Sequence, residues 1–261
     1  MTTEAISSLD QAVILSEIAS NAGAIMLANG AEIYRVEDTV ERIIRSKKNI
    51  KDVDVYSTAN VIVLSFSFNQ EIHTNIRRVK SRTFNLYYIN KVNSFSREFV
   101  SGKYSLQEAL RELNKIKADP GYPLSYQIFG SALSAAAFTI LLGGKITDML
   151  ISFLVGFISY IVSFQFQEAK FGFFLVNFIA GLVVSLITVT FRLFLPYIAV
   201  DKIVIGSMMA FLPGITLTNA MRDLMSGDVT SGLTGATTAI LVSTALALGV
   251  AMPITIATYI R

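Results

Sequence analysis

Residues 171–191 read FGFFLVNFIAGLVVSLITVTF, an apolar stretch that no charged residue interrupts. A helix of about 20 such residues is long enough to cross the hydrocarbon core of a bilayer. Further apolar segments of similar length lie on both sides of it, separated by polar or charged residues. We therefore predict five transmembrane helices, near residues 125–143, 147–164, 171–191, 203–217 and 230–252.

The charged residues are distributed very unevenly along the 261-residue chain. Residues 1–120 carry 16 Lys or Arg and 14 Asp or Glu, whereas residues 121–261 carry only 6 and 5. So few charges cannot cover a soluble domain of that size, but a helical bundle that faces lipid does not need them. We expect a cytosolic domain over residues 1–120 and a transmembrane helical domain over residues 121–261.

The first 120 residues combine helical and strand periods. Apolar residues recur at helical spacing in residues 14–25 and 33–43, and they alternate with polar ones in residues 52–79. Two more amphipathic helices are expected at residues 85–101 and 106–117. We predict an α-helical multi-pass membrane protein, with about five transmembrane helices and an N-terminal α+β cytosolic domain. No basic region precedes the early apolar stretch, so no signal peptide is expected and the N-terminus should stay in the cytosol.

Composition argues against several classes of protein. The chain has no Cys and one His, so disulfides, thiol chemistry and cysteine-ligated metals are excluded, and we predict no metal site. Its net charge of +3 is spread thinly, which gives no footprint for nucleic acid. No phosphate-binding loop of the Walker type is present, and no catalytic set stands out around the single His. We therefore expect no cofactor, no catalytic residues and no nucleic-acid partner, and we predict that the protein is not an enzyme.

Residues 211–228 read FLPGITLTNAMRDLMSGD and carry the polar groups most typical of transport. A Pro-Gly pair within an apolar span allows the helix to break, and transporters present helix ends to solutes at such breaks. The hydroxyl and amide groups that follow can form hydrogen bonds, and charges of both signs lie close by. A zwitterionic amino acid could use both signs, whereas a dicarboxylate would use the Arg and helix N-termini. The predicted substrate path consists of Pro213, Gly214, Thr216, Thr218, Asn219, Arg222, Asp223 and Asp228.

A plainer interpretation of the same segment also fits the sequence. Residues 219–228 could form an ordinary cytosolic loop, in which Arg222 reaches toward the membrane surface and pairs with Asp223.

Two motifs resemble those of a known family. The stretch PGITLTNAMRD at residues 213–223, followed by SGD at 226–228, resembles the signature of the threonine/serine exporter (ThrE) family. GAEIYRVED at residues 30–38 resembles that family's first motif, and the resemblance covers nearly the whole chain. Single-chain members have about twice as much membrane domain, so the chain resembles the split, YjjP-type form. The resemblance implies a separate, small YjjB-like membrane partner.

The first motif is expected to couple the cytosolic domain to the pore. Because they match the family motif, Glu32, Arg35 and Glu37 are the candidates for this role. The alternative is a set of salt bridges on a helix surface, since Glu32 and Arg35 lie three residues apart.

The sequence therefore predicts a multi-pass subunit of a secondary exporter in the cell inner membrane. The resemblance implies that its substrates are small polar metabolites, either threonine and serine or a dicarboxylate such as succinate. We expect an oligomer in the lipid bilayer whose transport is driven by the proton gradient. Asp223 and Asp228 are the candidates for binding the coupled proton. Two other functions remain open: a membrane-anchored hydrolase with its active site in the N-terminal domain, and a scaffold half of a transport complex.

Overall fold

The computed structural model describes residues 5–80 and 83–259, and the chain divides into two compact units. Unit 1 contains Met1–Gly121 and Ile215–Ala236. Unit 2 contains Tyr122–Gly214 and Thr237–Arg261. Unit 1 thus includes a segment that follows the predicted helix break at Pro213.

The first part of unit 1 mixes helices with a small sheet. Its elements are α1 (Leu9–Ala28), α2 (Ile33–Arg45), β1 (Ile50–Ser57), β2 (Val61–Phe68), β3 (Glu71–Arg78), α3 (Leu86–Val100) and α4 (Leu106–Ala118). The sheet is an antiparallel meander in the order β1-β2-β3, as the alternating pattern predicts. Asn69 and Gln70 form its second turn, both with positive φ, and Ser105 with Glu108 forms the capping box of α4.

The core of unit 1 lies between the sheet and the helices. Alternate residues of β2 are buried, and they belong to the same apolar cluster as the inner faces of α1 and α2. Gly23 of α1 allows this close packing, because a Cβ there would lie 2.6 Å from Val40 Cγ2 and 3.0 Å from Ile62 Cδ1. The pleat of β2 and the periods of α1 and α2 therefore present one continuous apolar surface.

Unit 2 is helical, and two helices extend the chain across the boundaries of the units. The helices that follow α4 are α5 (Leu124–Leu141), α6 (Ile146–Glu168), α7 (Phe173–Phe194), α8 (Val200–Met208), α9 (Gly214–Met225) and α10 (Val229–Tyr259). In α9, every residue after Gly214 belongs to unit 1. In α10, the first eight residues belong to unit 1 and the rest belong to unit 2.

Among the described residues, five helices are long and apolar enough to cross a membrane: α1, α5, α6, α7 and α10. The apolar window of α1 is 61% buried, against 28–33% for the other four, because α1 packs into the core of unit 1. The span predicted at residues 203–217 is not one continuous helix, since α8 ends at Met208 and α9 begins at Gly214. Pro213 lacks a backbone N–H, so a continuous helix through it would lose a hydrogen bond.

Small and polar residues bring α5, α6 and α8 close together in unit 2. Thr139 Oγ1 lies 2.7 Å from Ser152 Oγ, which in turn lies 3.0 Å from Ser207 Oγ, and all three side chains are buried. Gly156 completes the contact, because a Cβ there would lie 2.7 Å from the Cβ of Ala135. Such close approach with interhelical hydrogen bonds is typical of helices that pack within a membrane.

Candidate functional site

The two motifs, nearly 190 residues apart in the sequence, contact each other within unit 1. Nδ2 of Asn219, on α9, donates a hydrogen bond to the carbonyl oxygen of Gly30 at 3.0 Å. Arg222, one turn further along α9, forms an ion pair with Glu32, the residue just before α2. Residues three apart on a helix lie on one face, so a single face of α9 carries both contacts.

Glu32 lies between two arginines. Oε1 of Glu32 pairs with Nη1 of Arg222, while Oε2 lies 3.9 Å from Nη1 of Arg35. The second distance is that of an ion pair and is too long for a hydrogen bond. The Glu32 side chain is only 13% exposed, whereas that of Arg222 is 50% exposed. A mostly buried carboxylate therefore holds a guanidinium whose outer side faces solvent.

Gly30, whose carbonyl accepts the hydrogen bond from α9, lies where only glycine fits. Gly30 ends the turn after α1 with φ +83°, a backbone conformation that residues other than glycine rarely adopt. An added Cβ would lie 2.5 Å from Cδ1 of Phe84 and 2.9 Å from the carbonyl oxygen of Thr83. Glycine is thus required at this position by both backbone conformation and space.

Glu37 lies on α2 and stabilises the end of β1. Its Oε1 accepts a hydrogen bond from the backbone N–H of Ser57 at 2.7 Å. Burial raises the pKa of Glu37 above its ordinary value, and the negative charges of Asp228 and Glu41 raise it further, whereas the bond from Ser57 lowers it. Glu37 is therefore a carboxyl group that holds its proton more tightly than an exposed one.

Asp228 connects α9 to α10. The chain turns at Gly227, whose φ is +88°, and Oδ1 of Asp228 accepts a hydrogen bond from the backbone N–H of Ser231 at 3.2 Å, as at a helix N-terminus. Its Oδ2 is buried, and no described group donates to it. After burial, Asp228 is one of the two negative charges that raise the pKa of Glu37, so one carboxylate from each motif interacts electrostatically with the other.

The remaining residues of the predicted path differ in how far their side chains are exposed. Asp223 is buried on α9, at 6% exposure. Thr216 is half-buried and Thr218 is exposed on the same helix. Pro213 and Gly214 belong to unit 2, at the interruption between α8 and α9. The structure therefore joins Asn219 to Gly30 and Arg222 to Glu32, and it places Asp228 where its charge acts on Glu37. The helix is interrupted between Met208 and Gly214.

Sequence reasoning missed the partners of these side chains. The sequence suggests Asp223, next to Arg222 in the chain, as its partner, and the structure adds an ion pair between Arg222 and Glu32. The carbonyl of Gly30 and the N–H of Ser57 are backbone groups, which no residue pattern distinguishes. Within residues 5–80 and 83–259, no group of three or more His, Asp or Glu is placed to hold a metal ion.

This arrangement can bind charge and protons. Arg222 offers a half-exposed guanidinium suited to a carboxylate, and Glu32 already occupies it as an internal carboxylate. Glu37 offers a carboxyl group with a raised pKa, and the negative charge of Asp228 contributes to that shift. These groups belong to an α-helical multi-pass membrane protein that carries a small three-stranded sheet near its N-terminus.

The chain belongs to the threonine/serine exporter family. The family model ThrE, described as "Putative threonine/serine exporter", matches residues 17–257. The chain is also 23% identical over 236 residues to a protein of Klebsiella aerogenes named "Probable succinate transporter subunit YjjP". That alignment covers 88% of this chain and 89% of the relative. No solved structure matches the chain significantly. The family places the chain among membrane exporters.

Proposed function

We propose that this chain is one subunit of a secondary exporter of small polar metabolites in the cell inner membrane. It works with a small YjjB-like membrane partner, in an oligomer, by alternating access. In this proposal residues 1–120 form a cytosolic domain and the transmembrane domain lies within residues 121–261, of which Ile215–Ala236 belongs to unit 1. The family description supports threonine and serine as substrates, and the name of the Klebsiella relative supports succinate and a subunit role.

The contact between the two motifs carries this proposal. Asn219 and Arg222 join α9 to the turn and helix of the first motif, and α9 follows directly after the helix break at Pro213. A movement of the chain at the break would pull on both contacts. The first motif is therefore in a position to couple the N-terminal domain to transport.

Competition for Arg222 gives this coupling a chemical basis. The half-exposed guanidinium pairs with Glu32, and a solute carboxylate would compete with Glu32 for it. Its binding would weaken the link between the motifs and free α9 to move. Threonine, serine and succinate all carry a carboxylate, so the same step serves each of them.

Glu37 and Asp228 are the proposed proton-binding pair. Burial raises the pKa of Glu37, and the nearby negative charge of Asp228 raises it further, so Glu37 holds a proton more tightly than an exposed carboxyl group does. A proton that binds Glu37 from the acidic side would remove the repulsion between Glu37 and Asp228.

Efflux from proteoliposomes tests the proposal. Vesicles that hold this chain, alone or with its small membrane partner, are loaded with labelled threonine, serine or succinate, and efflux is followed with and without a proton gradient. Arg222→Gln is compared with Arg111→Gln, which removes an exposed arginine of α4 outside the motifs.

We expect one solute to leave only when both chains are present, and Arg222→Gln to slow its efflux at least tenfold while Arg111→Gln has no effect. Equal efflux from vesicles with and without this chain would refute the exporter function. Unchanged efflux in Arg222→Gln would remove Arg222 from the mechanism.

A further inference from the structure

A cavity of about 570 Å³ lies in unit 1, apart from the residues of both motifs. Its walls come from α1, the end of β3, α3 and α4. The volume falls in the range of pockets that hold small molecules. The predicted transport path contributes none of its residues.

The lining of this cavity is strongly cationic. Arg77, Arg78, Lys80 and Lys117 all contribute to it, and the described residues that line it include no Asp or Glu. Amide groups from Asn21, Asn29 and Asn114 add neutral hydrogen-bonding capacity. Four cations around one concave surface create a local positive potential, although the whole chain has a net charge of only +3.

Arg77 is fixed in place and retains an unused donor. Its Nη2 donates a hydrogen bond to Oδ1 of Asn21 at 2.6 Å, which orients the guanidinium. Its Nε is buried, and no acceptor among the described residues takes its hydrogen. A buried donor without an acceptor costs about 1–3 kcal/mol, so an anion that accepted this hydrogen would recover that cost.

Tyr88 gives the cavity one rigid aromatic wall. Its hydroxyl donates a hydrogen bond to the backbone carbonyl of Asp119 at 2.7 Å. Because the hydroxyl is already engaged, the ring is held in one orientation beside the cations. The polar contacts of Arg77 and Tyr88 therefore form before any ligand arrives, which lowers the entropic cost of binding.

We propose that this cavity binds a small polyanion that carries at least two carboxylate or phosphate groups. Arg77 binds one anionic group from the inner wall, and Arg78, Lys80 and Lys117 bind the second from the rim. A singly charged anion uses only part of this set and binds more weakly. The site does not depend on transport, since it shares no residue with the proposed path.

Titration calorimetry on the full-length protein in nanodiscs of neutral phosphatidylcholine tests the site. The probes are pyrophosphate for the phosphate class, citrate and succinate for the carboxylate class, and acetate as the singly charged control. The variants are Arg77→Gln and the double variant Arg78→Gln/Lys117→Gln, whose two side chains are exposed and leave the core intact. Arg111→Gln, an exposed arginine of α4 outside the cavity, is the matched control.

We expect saturable binding of one polyanion per chain, at least tenfold tighter than that of acetate. Arg77→Gln and the double variant should each weaken it about tenfold or more, and Arg111→Gln less than twofold. The preferred probe distinguishes phosphate from carboxylate ligands.

Three results would overturn the proposal. The first is the lack of saturable binding by every polyanion. The second is equal weakening by Arg111→Gln, which would indicate a diffuse charge effect. The third is that the protein binds to nanodiscs of anionic phosphatidylglycerol but binds no small anion. This result would make the cationic surface a membrane contact.

Discussion

The ion pair between Glu32 and Arg222 should couple the two motifs by about 1 kcal/mol. Exposed ion pairs contribute about 0.2–1 kcal/mol, whereas removal of one partner from a buried pair costs about 3–5 kcal/mol. Glu32 is 13% exposed and Arg222 is 50% exposed, so solvent screens the pair on one side only. We place the coupling at the upper end of the exposed range. In a protein of this size, about 1 kcal/mol corresponds to about 2–4 °C in Tm.

A double-mutant cycle measures this coupling. Glu32→Gln, Arg222→Gln and the double variant are compared by the midpoint of thermal unfolding in detergent. Each single variant should lower Tm by about 2–4 °C, and the double variant should be no less stable than the worse single one. The matched control is the pair Asp38 and Arg42 on α2, 2.6 Å apart, with both side chains more than half exposed. Its coupling should be about 0.5 kcal/mol or less.

Two results would refute this reasoning. Additive effects of Glu32→Gln and Arg222→Gln would show that the two side chains do not interact. A coupling no larger than that of the control pair would show that the partial burial of Glu32 adds nothing. If stability changes as expected and efflux does not, the contact is structural and has no role in transport.

Three other substitutions test the structure around the motifs and in unit 2. Gly30→Ala should cost about 2 kcal/mol, because alanine at φ +83° is strained and its Cβ would overlap Phe84; an unchanged Tm would contradict this. Glu37→Gln should flatten the dependence of stability on pH. The pKa of Glu37 is raised in the folded state, so protonated Glu37 favours the folded protein. This contribution to stability is complete below the ordinary pKa of 4.5 and is lost as pH rises through the raised pKa. Unfolding from pH 4 to 8 checks this, and parallel curves for variant and parent would count against it. Ser152→Ala should cost about 0.6–1.7 kcal/mol, because it removes the hydrogen bonds to Thr139 and Ser207, with Tm again as the measurement.

Local patterns were sufficient for most of the elements. The alternation in residues 52–79 predicted the meander, and the spacing of Ser105 and Glu108 predicted the capping box. Four of the predicted spans correspond to single long helices, because length and apolar composition can be counted in the sequence. The interruption at Pro213 was also predictable, since proline lacks the N–H that a helix needs.

Two helices show where such counting fails. Residues 203–217 were predicted as one span from their composition, but they divide between α8 and α9. Conversely, α1 has the length and hydropathy of a span, yet most of its apolar window is buried within unit 1. Composition measures how apolar a helix is, whereas its surroundings depend on what packs against it.

The sequence by itself determined the α+β and membrane-spanning classes of structure, the helix break and the residues of both motifs. These follow from charge distribution, hydrophobic period and residue type, all of which act over a few neighbouring positions. Only the tertiary structure decided that Arg222 pairs with Glu32, that Asn219 binds the carbonyl of Gly30, and that Arg77 lines a cationic cavity. Those contacts join residues that lie far apart in the chain, and the packing of whole helices determines which of them meet.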